Sequence, residues 1–367
     1  MVASYFTGMP RRHEGRRVSS AQTNALSHVR ERAQGARASA RAQIAATLAR
    51  ADEHPSALDT LVLRLREDAR ATINFHPDRL LSDGSSVAEN LLREGRYRNQ
   101  FETGITSGSR TAFRGGERDG WEHSLFGGAY QVCGVGPEER PKYGALNVMR
   151  HLDGGSPRFG SCFFVLRAHM SERCTLTWGD SHQGPVHVGT IDVLEPVLAP
   201  FLESVETKGD ALGVPVIDVG SLLGFFSSPR RRGIVARALD SYIEAQVHSD
   251  IDLAADIEAL VIDPAFEGTP TGERLHESAA RYGFALRRHP GFVLAVQDVP
   301  DDFRGPRMVP LAKRVALGGQ LDASVLGYAA ASLHREPETW EDWGTFDEAL
   351  QHIKQLWHVL VRFGGAR

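Results

Sequence analysis

The segment YIEAQVH, residues 242–248, constrains the fold of this chain more than any other. Its polar and apolar residues alternate strictly, so a β-strand would carry Glu244 and the other polar residues on one face. A carboxylate on a half-buried face is unfavourable unless it has partners or a chemical role. A second string, residues 74–79, sets His76 and Asp78 directly after an apolar run. Together the strings predict strand ends that direct polar groups into a cleft, as in an enzyme.

Charge is distributed unevenly along the 367 residues. The formal net charge is −4, yet residues 1–50 hold nine Arg and two Glu, about +7, which leaves about −11 for the remainder. Hydrophobic and charged contents of 41% and 24% are typical of a globular protein. The basic first segment could contact nucleic acid or an acidic protein, but a solvated amphipathic helix is the favoured interpretation, so nucleic acid is not an expected partner.

The three cysteines, Cys133, Cys162 and Cys174, are odd in number and lack CxxC spacing. This argues against a disulfide framework and a cysteine zinc site, and indicates a reducing compartment. No apolar run approaches the length of a membrane span, and the first 20 residues lack the apolar core of a signal peptide. We therefore expect no membrane partner and a cytoplasmic protein, or one secreted as an effector by a route that these rules do not detect.

The hydrophobic pattern predicts an α+β protein with a β-rich middle between helical ends. Strands are predicted at residues 71–75, 145–149, 161–166, 174–178, 186–188, 242–248 and 257–262. The chain divides into a disordered basic tail (1–18), a helical segment (19–70), a core (71–270) with a helical insertion at about 190–240, and a mainly helical region packed on that core (271–367). Residues 98–130 are predicted to be a long loop, either functional or disordered.

Standard motifs for metal, phosphate and nucleophile sites are missing from the sequence. His76 and Asp78 could be two ligands of a metal, but a role without metal is favoured because no HExxH or Cys/His cluster accompanies them. The Gly- and Arg-rich stretch from Gly104 to Arg118 lacks the lysine of a P-loop. Its composition is equally consistent with a loop that binds pyrophosphate and with a solvated loop. The string GDSH, residues 179–182, is interpreted as a turn with local hydrogen bonds.

A pair of carboxylates, Asp78 and Glu244, remains as the candidate for chemistry. Two carboxylates facing one cleft suit cleavage of a glycosidic bond, because one stabilises the positive charge on the sugar and the other handles a proton. From the residues alone, a glycosidase, a nucleosidase and an NAD-cleaving transferase all remain open. So does a structural role, in which either acid pairs with Arg79 or Tyr242.

Several strings recur together in one bacterial family, formerly known only as a domain of unknown function. They are FHPDR (75–79), YRNQFETG (97–104), WEHSLFGGAY (121–130), RPKYGALN (140–147), RFGS (158–161), WGDSH (178–182), YIEAQVH (242–248) and the region from Gly283 to His358. In these strings the chain resembles the CteC-like ADP-ribosyltransferases, which modify a threonine of ubiquitin. The resemblance extends from about residue 25 to residue 364, and its specificity lies in the joint occurrence of the strings.

The resemblance implies a poly(ADP-ribose)-polymerase-like fold, with a split pair of small antiparallel sheets around an NAD cleft in the core. The resembled family combines features of the Arg-Ser-Glu and His-Tyr-Glu classes of transferase and uses an Asp–Glu catalytic pair. The resemblance assigns this pair to Asp78 and Glu244. Asp180 and Asp119 are alternatives for the aspartate. Glu244 would hold the nicotinamide ribose, and Asp78 would orient or deprotonate the acceptor. The cofactor-binding residues implied are His76, Arg79, Arg98, Gln100, Gly104, Arg114, Tyr143, Gly144 and Ser161, and no metal is expected.

The acceptor implied by the resemblance is a threonine hydroxyl of ubiquitin. The chain has Tyr242 where a Glu-x-Glu motif would place its first glutamate, which argues against an arginine acceptor. The helices before residue 71, or the stretch 190–240, would recognise the protein substrate. Two alternatives stay open: an NAD glycohydrolase or toxin that uses water as acceptor, and a catalytically inactive protein that binds ubiquitin.

Overall fold

The structure is a computed structural model that describes residues 18–104, 111–228 and 233–367. Residues 1–17 of the tail that is predicted to be disordered lie outside the described residues. Residues 105–110 of the predicted long loop lie outside them as well.

The described residues form twelve α-helices and fourteen strands, several of them short. The helices are α1 (Ser20–Arg50), α2 (Ala57–Asp68), α3 (Val87–Glu94), α4 (Gln100–Thr103), α5 (Glu117–Leu125), α6 (Glu195–Lys208), α7 (Val219–Ser227), α8 (Leu253–Asp256), α9 (Pro270–Tyr282), α10 (Met308–Val315), α11 (Ala323–Arg335) and α12 (Phe346–Phe363). The strands are β1 (Ala71–Phe75), β2 (Arg96–Tyr97), β3 (Lys142–Leu146), β4 (Cys162–Leu166), β5 (Cys174–Trp178), β6 (Val188–Thr190), β7 (Asp210–Ala211), β8 (Val214–Pro215), β9 (Ile243–Val247), β10 (Ile251–Asp252), β11 (Ile257–Ile262), β12 (Ala285–Arg288), β13 (Leu294–Ala295) and β14 (Gln320–Leu321).

Eight strands form one mixed sheet in the order β12-β11-β4-β1-β3-β9-β5-β6. All neighbours are antiparallel except β11 and β12. The two central strands, β1 and β3, are joined by only two residue pairs, Ala71 with Leu146 and Thr72 with Ala145. The two four-stranded halves of the sheet therefore meet at one end of β1 and β3 and separate at the other.

One hydrophobic core runs through nearly the whole described chain. It includes Ile44 of α1, Ile73 of β1, Val247 of β9 and Trp357 of α12. The apolar face predicted for the strand at residues 242–248 is buried in this core, as the alternation requires. The helical ends of the chain are thus packed on the sheet and exclude water from its faces.

The basic helix α1 begins with a capping box at Ser19 and packs along α6. Arg37 and Arg41 both pair with the buried carboxylate of Glu195 at 2.9 Å, and Arg50 pairs with Glu206. The excess positive charge of the first fifty residues is therefore partly balanced by acidic residues on α6, while apolar residues of the helix enter the core. This fits the interpretation of the segment as an amphipathic helix.

The strands predicted at 71–75, 174–178 and 257–262 have the predicted bounds. The loop predicted over 98–130 is wrong in part, because α4 and α5 lie within it. The resemblance implies a split pair of small antiparallel sheets, and the structure has one mixed sheet whose two halves are joined only by the β1–β3 pairs. The insertion at 190–240 contains α6 and α7 and also a short hairpin of β7 and β8.

Candidate functional site

A cleft opens where β1 and β3 separate. Beyond Thr72, β1 continues to pair with β4, and β3 continues to pair with β9, so the two strands diverge. Gly144 lies at the junction, where a β-carbon would overlap the carbonyl oxygen of Thr72. Only glycine allows this close approach of the two backbones. The resulting cavity has a volume of about 370 Å³, within the range of small-molecule sites.

Glu244 is buried in the wall of this cleft, opposite Ala145 at the junction of the two halves. Its Oε1 accepts a hydrogen bond from Gln246 Nε2 at 2.8 Å, and its Oε2 accepts one from the Ser181 amide at 3.4 Å. Burial, together with the negative charge of Asp180, raises the pKa of Glu244 to about 7. The carboxylate therefore changes its charge near neutral pH, and a positively charged or hydroxyl-bearing ligand would favour its ionised form.

A chain of buried hydrogen bonds holds Gln246 behind Glu244. The Thr175 hydroxyl donates to Gln246 Oε1 (2.6 Å) and so accepts from His248 Nε2 (2.8 Å). His248 Nδ1 then accepts from the hydroxyl of Tyr130 (2.5 Å). Burial lowers the pKa of His248 to about 3, so its ring is neutral in this arrangement. The polar side chains of β9 therefore take part in a hydrogen-bond network that holds the Gln246 amide against the Glu244 carboxylate.

The turn after β5 brings a second carboxylate to the cleft. Asp180 Oδ1 lies 2.7 Å from His182 Nδ1, and its Oδ2 accepts from the Tyr242 hydroxyl at 2.9 Å. Burial raises the pKa of Asp180, but the hydrogen bonds from His182 and Tyr242 outweigh it and leave the pKa below its usual value. Asp180 is therefore ionised at neutral pH. The His182 ring is half exposed, lines the cavity and lies edge-on to Trp121.

An aromatic and cationic stack also lines the cavity, next to β9 and the turn of Asp180. The guanidinium of Arg118 lies 4.9 Å from the ring centre of Trp121 and 4.7 Å from that of Tyr143. The Tyr143 hydroxyl donates to the buried Glu122 carboxylate at 2.8 Å, which in turn accepts from Arg140. Burial raises the pKa of Tyr143 well above its usual value, so the hydroxyl keeps its proton. The Tyr143 ring is therefore fixed beside the cavity.

Positive charge is concentrated around the cavity. Arg79, Arg118 and Arg158 line it, and each has at least one buried N–H group without a hydrogen-bond partner in the described chain. Lys354 of α12 also lines it, and burial lowers the pKa of its amine. Buried donors without partners are unfavourable in an apolar pocket, so these groups fit an anionic ligand.

The structure brings most of the predicted site residues to one place. Seven of them line the cavity: His76, Arg79, Arg98, Gln100, Tyr143, Gly144 and Glu244. The ring of His76 packs against Trp357, and burial lowers its pKa well below the usual value, so it is neutral. Arg98 makes an ion pair with Glu94 at the cavity wall.

Four predicted residues do not line the cavity. The Asp78 carboxylate packs against α11, where a β-carbon at Gly327 would overlap it, and burial raises its pKa to about 6. Ser161 is buried, with its carbonyl accepting from His289. Gly104 is the left-handed C-cap of α4, and the Arg114 side chain is exposed. Of the three aspartates considered from the sequence, Asp180 lines the cleft with Glu244, whereas Asp78 and Asp119 do not.

Sequence reasoning missed Arg158, Trp121 and Lys354 as cavity residues. The turn predicted for residues 179–182 is confirmed, since Asp180 caps a short 3₁₀ helix and accepts from the His182 amide. Its position in the cleft depends on the pairing of β5 with β9, which places Thr177 opposite Glu244. No signal in the sequence predicted that pairing.

The described residues contain no group of three or more His, Cys, Asp or Glu side chains arranged to hold a metal ion. None of the helices in the described ranges is both long enough and apolar enough to cross a membrane.

Residues 70–363 match the model of a family described as a protein of unknown function, DUF3626. The chain belongs to this family. The family match begins at the residue before β1 and ends at the last residue of α12, so it includes every element that lines the cavity. No curated protein matches the chain.

Proposed function

We propose that this DUF3626 protein is an NAD-dependent mono-ADP-ribosyltransferase that releases nicotinamide and transfers ADP-ribose to a protein hydroxyl. The observation that carries the proposal is the convergence of His76, Tyr143 and Glu244 on one cleft between two half-sheets. Their residue types match the His-Tyr-Glu class, one of the two classes whose features the resembled family combines. The split between β1 and β3 would then be the NAD cleft of that fold.

The chemistry of the cleft supports this proposal. NAD carries a cationic nicotinamide ring, ribose hydroxyls and an anionic pyrophosphate. The Glu244 carboxylate can accept a hydrogen bond from the ribose 2-hydroxyl and stabilise the positive charge that develops as nicotinamide leaves. The Tyr143 ring offers an aromatic surface for the nicotinamide. Arg79, Arg118 and Arg158 each have a buried N–H group that finds no partner among the described residues, and these groups offer charge-assisted hydrogen bonds to phosphate oxygens.

The acceptor proposed is a threonine of ubiquitin, and this part rests on the sequence resemblance. The test is mass spectrometry of ubiquitin after incubation with the protein and NAD. Glu244→Gln is the inactive control, and Glu203→Gln, which changes an exposed glutamate on α6, is the matched control. We expect one ADP-ribose on ubiquitin with the wild type and Glu203→Gln, and none with Glu244→Gln.

The other outcomes separate the alternatives. Release of nicotinamide that depends on Glu244 but leaves ubiquitin unlabelled indicates an NAD glycohydrolase or a different acceptor. Equal labelling of ubiquitin after replacement of its threonines contradicts the threonine assignment. Binding of ubiquitin without consumption of NAD, unchanged in Glu244→Gln, indicates an inactive ubiquitin-binding protein and refutes the transferase.

A further inference from the structure

The turn that carries Asp180 and His182 is tied directly to Glu244. The amide of Ser181, between these two residues, donates to Glu244 Oε2 at 3.4 Å. Tyr242, two residues before Glu244 on the same segment, donates its hydroxyl to Asp180 Oδ2 at 2.9 Å. The turn and the glutamate are thus fixed relative to each other by two contacts and lie on the same side of the cavity.

Within this turn, Asp180 and His182 have the geometry of an oriented base. One carboxylate oxygen lies 2.7 Å from His182 Nδ1, and the other is held by Tyr242. With Nδ1 engaged by a carboxylate, Nε2 is the ring nitrogen that is left to accept a proton. The ring is half exposed at the cavity, while Asp180 is largely buried. A histidine oriented by a buried carboxylate is a common arrangement for a general base.

We propose that His182 is the catalytic base that removes the proton of the acceptor hydroxyl, and that Asp180 positions it. This inference rests on the proposed function. The bond between C1′ of the ribose and the nicotinamide nitrogen breaks, and its electron pair neutralises the charge on that nitrogen. The acceptor oxygen forms a bond to C1′, and its proton passes to His182 Nε2 and then to water. Glu244 carries no proton in this step and stabilises the positive charge on the sugar.

The surroundings of the pair define the chemical class of the acceptor. Arg158 lies 3.9 Å from Asp180 Oδ2, and Lys354 also lines the cavity close enough to interact with Asp180 and Arg158. A guanidinium acceptor would have to approach the positive charges of Arg158 and Lys354, although Asp180 and Asp240 offset part of that charge. A hydroxyl is neutral, and it needs a base because its pKa is far above neutral pH. An O–H acceptor, on a protein or in water, is therefore the class that we propose for this base.

The experiment follows nicotinamide release from NAD in water, with and without added azide. Azide attacks C1′ as an anion and has no proton to lose, so it replaces the function of a missing base. His182→Ala opens space for azide, His182→Gln keeps the volume of the ring approximately, and His123→Ala changes an exposed histidine on α5 that does not line the cavity. Glu244→Gln serves as the variant that azide must not rescue.

We expect both His182 variants to release nicotinamide about 100-fold more slowly in water, with the KM for NAD within about twofold of the wild type. Azide should restore His182→Ala to within about tenfold of the wild type and yield ADP-ribosyl azide, while Glu244→Gln stays inactive. His123→Ala should match the wild type throughout.

Each contrary result has a separate meaning. Wild-type rates in the His182 variants, or loss of rate that azide does not restore, overturn the assignment of the base and leave the transferase proposal standing. A wild-type protein that releases no nicotinamide, either in water or after ubiquitin is added, overturns both proposals together.

Discussion

Replacing Glu244 by glutamine should stabilise the folded protein at neutral pH while it removes activity. Glutamate has a pKa of 4.5 when unperturbed, and burial beside Asp180 raises that of Glu244 to about 7. Between these two values the folded protein keeps a proton that the unfolded chain has lost, so the free energy of unfolding falls as pH rises. Below about pH 4.5 no stability is lost through this group, and above about pH 7 the loss is complete.

The size of this effect follows from the two pKa values. At about 1.4 kcal/mol per pH unit over 7 − 4.5 = about 2.5 units, the wild type loses about 3 kcal/mol across the interval. The glutamine variant cannot lose a proton at this position and is free of that loss. Other titrating groups are common to both proteins, so they largely cancel in the difference between the variant and the wild type.

Glutamine also loses one interaction at every pH. Its carbonyl can still accept from Gln246 Nε2, but its amide group then faces the donating amide of Ser181 at the position of a 3.4 Å hydrogen bond. Loss of that bond costs about 1 kcal/mol. We therefore expect Glu244→Gln to be about 1 kcal/mol less stable than the wild type near pH 4.5 and about 2 kcal/mol more stable at pH 8.

Urea unfolding at pH 5, 6, 7 and 8 measures this difference directly. Glu203→Gln, at an exposed position on α6, controls for the removal of one negative charge and should show a small difference that changes little with pH. A stability difference for Glu244→Gln that does not change with pH would refute the burial argument. A wild type more stable than the variant at pH 8 would refute it as well.

Three further changes test other parts of the cleft. Gly144→Ala should lower the free energy of unfolding by about 3 kcal/mol in urea titrations, because its β-carbon would overlap the carbonyl of Thr72 and force β1 and β3 apart. Arg118→Met should weaken NAD binding about 10- to 100-fold in calorimetry, because a charge-assisted hydrogen bond contributes about 1.5–3 kcal/mol; unchanged affinity would exclude a phosphate contact. Gln246→Leu removes a hydrogen-bond donor that lowers the pKa of Glu244. The acidic limb of the pH–rate profile should therefore move to higher pH by about one unit. A limb that does not move would contradict the role of Gln246.

Strand positions were predictable because each depends on a pattern within a few residues. The alternation at 242–248 specified both faces of β9, and its apolar face lies in the core as expected. The polar face lies beside Tyr143 and Thr175, its partners across the sheet. Local alternation identifies a face that needs polar partners, but it cannot say which distant residues provide them.

The second carboxylate of the cleft could not be identified from local sequence patterns. Asp78 follows Pro77, which ends β1, and the sequence alone gives no direction for the side chain after that break. Its direction is set by α11, about 250 residues later, where Gly327 leaves space for the carboxylate. Asp180 reaches the cleft because β5 pairs with β9. Long-range packing therefore decides which of the two aspartates reaches the cleft, and the residues next to each aspartate in the sequence do not.

The same reasoning explains why a carboxylate with a raised pKa is not sufficient to identify a catalytic group in this protein. Burial raises the pKa of Asp78 to about 6 and that of Asp263 to about 7, values close to that of Glu244, yet neither lines the cleft. Glu244 differs because a hydrogen-bonded amide holds it at the junction of the half-sheets. The cavity beside it is lined with arginine donors that have no partner in the described part of the chain. The Glu244 carboxylate is distinguished by its access to a ligand that could compensate its negative charge. This access arises because β1 and β3 diverge after only two residue pairs.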